Sequence, residues 1–205
     1  MNAFENLLHG FGLSWTLSKL IPYIFFPLIG FFVWAIFRKR IARRWVGFSL
    51  LLILVFGSFF AYFSVNPIFE GDFSNNSTIT TLIPELESKD RPALVIVTIP
   101  DCPFCMESIL RMKEFKKQNP NVSIEYRVCT SKKELLKPYQ EAAGDAFPIV
   151  MAKDKDALAN DVADGAFPTF VLLEKDKSVK WSNDNFGAGA LDEVERAFEE
   201  TSEKK

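Results

Sequence analysis

Two apolar runs dominate the first third of the chain. Leu20 to Phe37 reads LIPYIFFPLIGFFVWAIF and Trp45 to Val65 reads WVGFSLLLILVFGSFFAYFSV, neither with a charged residue. A helix needs about 20 mostly apolar residues to cross the hydrocarbon core of a bilayer. The pattern therefore predicts two membrane-spanning helices, 20–37 and 45–65. A helix in a soluble core would keep some polar surface, and two such runs side by side have too little. Pro22 fits a first helical turn, while Pro27 is expected to kink the first span. Ahead of the spans, Phe4, Leu7, Leu8, Phe11 and Trp15 recur at helical spacing. Residues 1–19 are read as an amphipathic segment on the outer membrane surface, weakened by Gly10 and Gly12.

Beyond Val65 the pattern changes to short alternating units. Residues 66–90 hold Pro67, Gly71, Pro84 and a Ser/Asn/Thr cluster at 74–78 that includes overlapping N-x-S/T patterns, and they read as a linker. Residues 91–205 form one domain. ALVIVTI (93–99) has the form of a strand buried on both faces. Pro100 to Pro103 breaks it and opens a helix, MESILRMKEFKKQ, which Asn119-Pro120-Asn121 stops. VSIEYRVC (122–129) alternates like a strand. Residues 134–143 read as a helix, 147–151 as a short strand and 155–162 as a helical turn. FVLL (170–173) and Val179–Trp181 make a hairpin around Lys175-Asp176-Lys177. Leu191, Val194, Ala197 and Phe198 give a closing amphipathic helix. This order predicts an α/β domain, a central sheet covered on both faces by helices.

Charge divides the chain the same way. Residues 1–65 carry six Lys+Arg against one acid, and residues 66–205 carry 18 against 25, a net −7. An acidic soluble part excludes nucleic acid as a partner, since phosphate binding needs a basic surface. Five of the first part's cations fall in residues 38–44, RKRIARR, between the two spans. A short basic loop there predicts an antiparallel hairpin with the loop in the cytoplasm and both chain ends outside it. A cleavable leader is a poor match, because the basic residues follow the first apolar run. His9, the only histidine, has no matching ligand cluster, so it is read as an ordinary surface residue and no metal is expected.

The chemistry is concentrated in Cys102-Pro103-Phe104-Cys105. The two cysteines flank a dipeptide where the buried strand becomes a helix. Helix N-terminal N–H groups and the helix dipole stabilise an anion, so a thiol there ionises near neutral pH. Cys102, at the helix mouth, is the expected nucleophile. Cys105, one turn inside, is close enough to resolve a mixed disulfide. A zinc site would need four ligands where the chain has three Cys and one distant His. Haem attachment would require His at 106, which is Met. A purely structural disulfide stays open outside the cytoplasm.

At these residues the chain resembles the thioredoxin superfamily: the strand ALVIVTI, then DCPFC, then Ala166-Phe167-Pro168-Thr169-Phe170 before VLL. The resemblance covers about residues 80–200. It implies that Pro168 is a cis-proline facing the cysteine pair, and that Phe167 pairs its backbone with a substrate chain. Thr169 completes the family's Pro-Thr pair, and Pro103, Phe104, Phe167, Pro168 and Thr169 together line a substrate groove. Residues 147–173 resemble the membrane-tethered TlpA-like or ResA-like branch. Two positions depart from the pattern. Asp101 replaces the aromatic residue before the first Cys, and its carboxylate opposes thiolate formation. Ile96 stands where thioredoxin has a buried acid. Cys129, at the end of the second strand, is read as a buried or unremarkable free cysteine, with a regulatory third thiol as the alternative.

Neither span contains Cys, His, Asp, Glu, Lys or Arg, so the hairpin reads as an anchor without an electron or proton relay of its own. The expectation is a two-pass protein of the cell (inner) membrane with its domain on the periplasmic side. It would act as a thiol–disulfide oxidoreductase without a cofactor, reduction being the expected direction. Exported cysteine-containing proteins or apocytochromes would be its substrates, and a separate membrane thiol reductase or oxidase would recharge it. The rival expectation is a non-catalytic tethered binding module of the same fold.

Overall fold

A computed structural model describes residues 3–41, 43–68, 72, 78–79, 86, 92–174 and 178–203. Most of the linker, Asn75 to Ser77 of the N-x-S/T patterns and the 175–177 turn lie outside the described residues.

Three helices come first: α1 (Ala3–Gly10), α2 (Trp15–Phe37) and α3 (Arg44–Val65). The two long ones are long and apolar enough to cross a membrane. Ser14 starts α2 by accepting from the Leu17 N–H at 3.2 Å. The helix thus begins five residues ahead of the apolar run, and Pro22 lies about two turns inside it instead of in its first turn. The helices pack antiparallel. The Tyr23 hydroxyl donates to the Asn66 carbonyl at one end, and Trp34 Nε1 donates to Gly47 O at 2.7 Å towards the other. Between them Gly30 lies against the Leu54 backbone so closely that any Cβ would collide with its carbonyl oxygen. At the end near Asn66, the Lys19 ammonium lies 3.8 Å from Glu5 and 3.6 Å from Asp72, and Tyr62 donates to Glu5 at 3.1 Å.

The sheet has six strands in the order β1-β6-β5-β2-β3-β4. They are β1 (Thr78–Ile79), β2 (Ala93–Thr98), β3 (Ile124–Val128), β4 (Ile149–Met151), β5 (Thr169–Leu173) and β6 (Ser178–Ser182). β2, β3 and β4 are parallel, while β5, β6 and β1 add antiparallel neighbours on the other side. β1 lies inside the stretch read as linker. Alternate residues of β2 face opposite layers, as the period of a strand requires. Leu94 and Ile96 join a core with Ile109, Met112 and Phe115 of α4 (Pro103–Gln118), Tyr139 of α5 (Lys137–Ala143), and Leu191 and Val194 of α7 (Ala188–Glu203). Val95 and Val97 join a second core with Leu158 and Val162, on the turn that continues α6 (Lys155–Ala157).

Residues 1–19 do not form one surface segment. Phe4 stacks on Phe25 of α2, whereas Trp15 is 3% exposed and enters the first core of the sheet domain, 5.8 Å from the Phe115 ring. His9 stacks on Trp15 at 3.9 Å, and its Nε2 lies 3.4 Å from Glu195 on α7. Asp192 of α7 accepts from the Trp15 and Thr16 N–H groups and from the Thr16 hydroxyl. The first turn of α2 is therefore part of the domain's packing, because an indole buries more apolar area there than it would on a surface.

Candidate active site

The loop from β2 to α4 sets the position of Cys102. Pro100 has no N–H to extend the strand, and Asp101 turns the chain at φ 57°. Cys102 is then extended and caps α4, with Pro103 at the first helical position, where its missing N–H costs nothing. Cys102 Sγ accepts from the Cys105 backbone N–H at 3.2 Å. The two cysteines form a disulfide with their Cα atoms 5.2 Å apart. Cys105 is fully buried and Cys102 is 8% exposed, so Cys102 is the more accessible residue of the pair. Pro103 and Phe104 are both exposed.

The Phe167–Pro168 peptide bond is cis. Thr169 pairs with Val97, which places Pro168 at the end of β5 beside the end of β2, the edge from which the cysteine loop leaves. Phe167 is half-buried and packs against both cores, including the one that holds Cys102 and Cys105. Thr169 is buried, with its hydroxyl turned back to Ala166 O at 2.5 Å.

Ile96 is fully buried, so the position of the expected acid is apolar. Beneath the cysteines the polar groups are hydroxyls. Ser108 donates to Cys105 O at 2.7 Å and lies 3.0 Å from the Tyr126 hydroxyl. Burial pushes the ionisation of Tyr126 upward, so it remains a neutral phenol. Tyr139 donates to Ile99 O at 2.6 Å. Sequence reasoning missed Tyr139; its one signal was a tyrosine inside a helix that needs a buried partner for its hydroxyl.

A cleft of about 680 Å³ runs along α4 from Phe104 past Ser108 and Arg111 to Phe186, Lys19 and Asp72. The Arg111 guanidinium lies over the rings of Phe170 (5.2 Å) and Phe186 (5.5 Å) and donates to Phe186 O and Asn183 Oδ1. Burial lowers its pKa from the usual value. Cys129 is half-buried and packs against the second core, across the sheet from Cys102. Among the described residues no three His, Cys, Asp or Glu side chains are grouped to hold a metal ion.

The family model described as thioredoxin matches residues 74–178, just over half of the chain. The chain belongs to the thioredoxin family. No curated protein matches it. Among solved structures, this thioredoxin-like chain is similar to MTB DsbF, with 15% identity, 54% of this chain and 82% of that one covered, and a TM-score of 0.44. A secreted Mycobacterium tuberculosis disulfide oxidoreductase homologous to E. coli DsbE gives 18% identity, 55% and 83% coverage and a TM-score of 0.41. StoA from Bacillus subtilis gives 18%, 53% and 84%, and 0.41. Within this thioredoxin-like fold the Cys102–Cys105 disulfide lies at the first turn of α4.

Proposed function

We propose that this protein is a membrane-anchored, extracytoplasmic thiol–disulfide oxidoreductase that works as a reductant. The observation that carries the reading is the Cys102–Cys105 disulfide at the mouth of α4, beside the cis Phe167–Pro168 bond on the same sheet edge. In the reduced form, the Cys102 thiolate attacks one sulfur of a substrate disulfide. A mixed disulfide forms, and the first substrate sulfur leaves as a thiolate that takes up a proton. Cys105 then gives up its proton and attacks Cys102 Sγ, releasing the second substrate thiol. Two electrons pass to the substrate and the Cys102–Cys105 disulfide remains. A separate membrane dithiol protein must reduce that disulfide, because the apolar spans contain no thiol.

The reductive direction is supported by Asp101. Strong oxidants owe their potential to a stabilised thiolate, and a carboxylate next to Cys102 works against one. The apolar α2–α3 hairpin supports the anchor, and the basic 38–44 loop between the spans supports a domain outside the cytoplasm. Exported cysteine-containing proteins or apocytochromes are the proposed substrates. An insulin-reduction assay on the full chain with a dithiol donor tests the activity. Turnover that disappears in Cys102→Ser is the expected result; no turnover by the wild type contradicts the reading. A couple near roughly −270 mV indicates a reductant and one near roughly −120 mV an oxidant. An alkaline-phosphatase fusion after the second span tests sidedness, where an inactive fusion contradicts the orientation.

A further inference from the structure

α2 belongs to two environments at once. Its first residue, Trp15, is 3% exposed in the core of the sheet domain beside Phe115 of α4, and the helix runs unbroken from there to Phe37. The uncharged run begins at Leu20, five residues on, a rise of about 7.5 Å along the axis. Two tyrosines stand at this end of the hairpin. The Tyr23 ring meets the Tyr62 ring edge-on at 4.9 Å, and their hydroxyls donate to Asn66 O and Glu5. Tyrosines with an apolar body and a satisfied polar tip mark the boundary between membrane and water. Lys19, beside Glu5 and Asp72, lies at the same end. Lys19 and Asp72 also line the cleft of about 680 Å³ that Phe104 lines from α4. Phe104 is 61% exposed and stands two residues after Cys102.

We infer that the redox site works at the outer membrane surface, exchanging with disulfides that a membrane-embedded protein holds at headgroup level. The inference rests on the membrane-anchored thiol–disulfide reading above. The domain is held on α2 itself and not only through residues 66–90, because Trp15 is part of its core and Asp192 accepts from the Trp15 and Thr16 N–H groups. The cleft beside the cysteines therefore keeps its place next to the point where α2 enters the bilayer. A disulfide at headgroup level meets Cys102 at the high effective concentration of a shared surface. The exposed Phe104 ring suits that boundary, where apolar side chains bury themselves at the headgroup layer.

The test uses the full-length reduced protein in phosphatidylcholine vesicles containing a phosphatidylethanolamine with a 2-pyridyl disulfide on a short headgroup spacer. Cys102 attacks the sulfur on the spacer, and pyridine-2-thiolate leaves and takes up a proton as the thione. Cys105 then gives up its proton and attacks Cys102 Sγ, freeing the lipid thiol, so two electrons pass to the lipid disulfide. Thione absorbance is compared with that from an equal bulk amount of the water-soluble pyridyldithiopropionate. Release from the lipid should be at least about tenfold faster. Equal or slower release from the lipid overturns the inference and leaves the proposed function standing, whereas no release from either disulfide overturns both. A second measurement needs no turnover. NMR of the oxidised wild type with a headgroup-spin-labelled lipid should show the Phe104 amide strongly broadened and that of Asp156 little affected, since α6 packs on the opposite face of the sheet. Equal broadening at the two positions, or more at Asp156, overturns the inference.

Discussion

The carboxylate of Asp192 accepts from the backbone N–H of Trp15 at 2.6 Å, tying the last helix of the thioredoxin-like domain to the first turn of an apolar helix 177 residues earlier. Two more hydrogen bonds from Thr16 end on the same carboxylate. Asp192 thus acts as a cap on α2 supplied from another element, where a negative charge also suits the helix dipole. The hairpin is therefore docked on the domain as well as linked to it. The cleft beside Phe104 is consequently lined by both parts, with Lys19 contributed by α2.

Asp192→Ala should cost about 0.5–2 kcal/mol, the usual range for a lost cap, and Asp192→Asn less. Thermal unfolding of the full chain reads the loss. Equal melting temperatures for wild type and Asp192→Ala would mean that the cap contributes nothing.

Trp15→Ala should cost about 3–5 kcal/mol, because it empties a large site in a packed core. A fragment restricted to residues 91–205 lacks the same indole and should show a comparable deficit. Hydrogen exchange of α4 around Phe115 measures it directly, with faster exchange in both proteins expected. Unchanged protection there would place the indole outside the core.

Glu195 gives a pH dependence. Burial raises its carboxyl pKa, against the lowering effects of the Trp15 indole, His9 and Asn119 and with a further rise from Asp192. A carboxyl whose folded value lies above its unfolded value binds its proton more tightly in the folded chain. Folding therefore carries a penalty at neutral pH, and the penalty falls away as pH drops through the raised value towards the ordinary one near about 4.3. Glu195→Gln should be the more stable protein at neutral pH, with the difference shrinking on acidification. Urea midpoints between about pH 4 and 8 check this, and a difference that grows on acidification would reverse the sign.

How far the sequence was readable follows from the range of the forces involved. β2, α4 and β5 could be read because each combines a local apolar run with a breaker beside it, whereas the cis bond before Pro168 was legible only through the family resemblance. Cys102 and Cys105 are three residues apart, so their encounter was also a local matter. Trp15 looked like one more member of an amphipathic stripe, since nothing near it in sequence reveals that Phe115 and Asp192 are its neighbours. Ser14 was a usable helix-start signal that the apolar run overshadowed. The two-residue β1 is too short to show a period. Tyr139 was placed on a helix correctly, but periodicity gives the face of a residue and not the partner of its hydroxyl.

The central claim is that Cys102 is the attacking sulfur and Cys105 the resolving one. Trapping tests it most directly. The full-length reduced Cys105→Ser protein is incubated with a disulfide-bonded protein such as insulin and analysed without reductant by mass spectrometry. A covalent adduct joined through Cys102, absent from Cys102→Ser, is the predicted result. An adduct joined through Cys129, or none at all, would contradict the account.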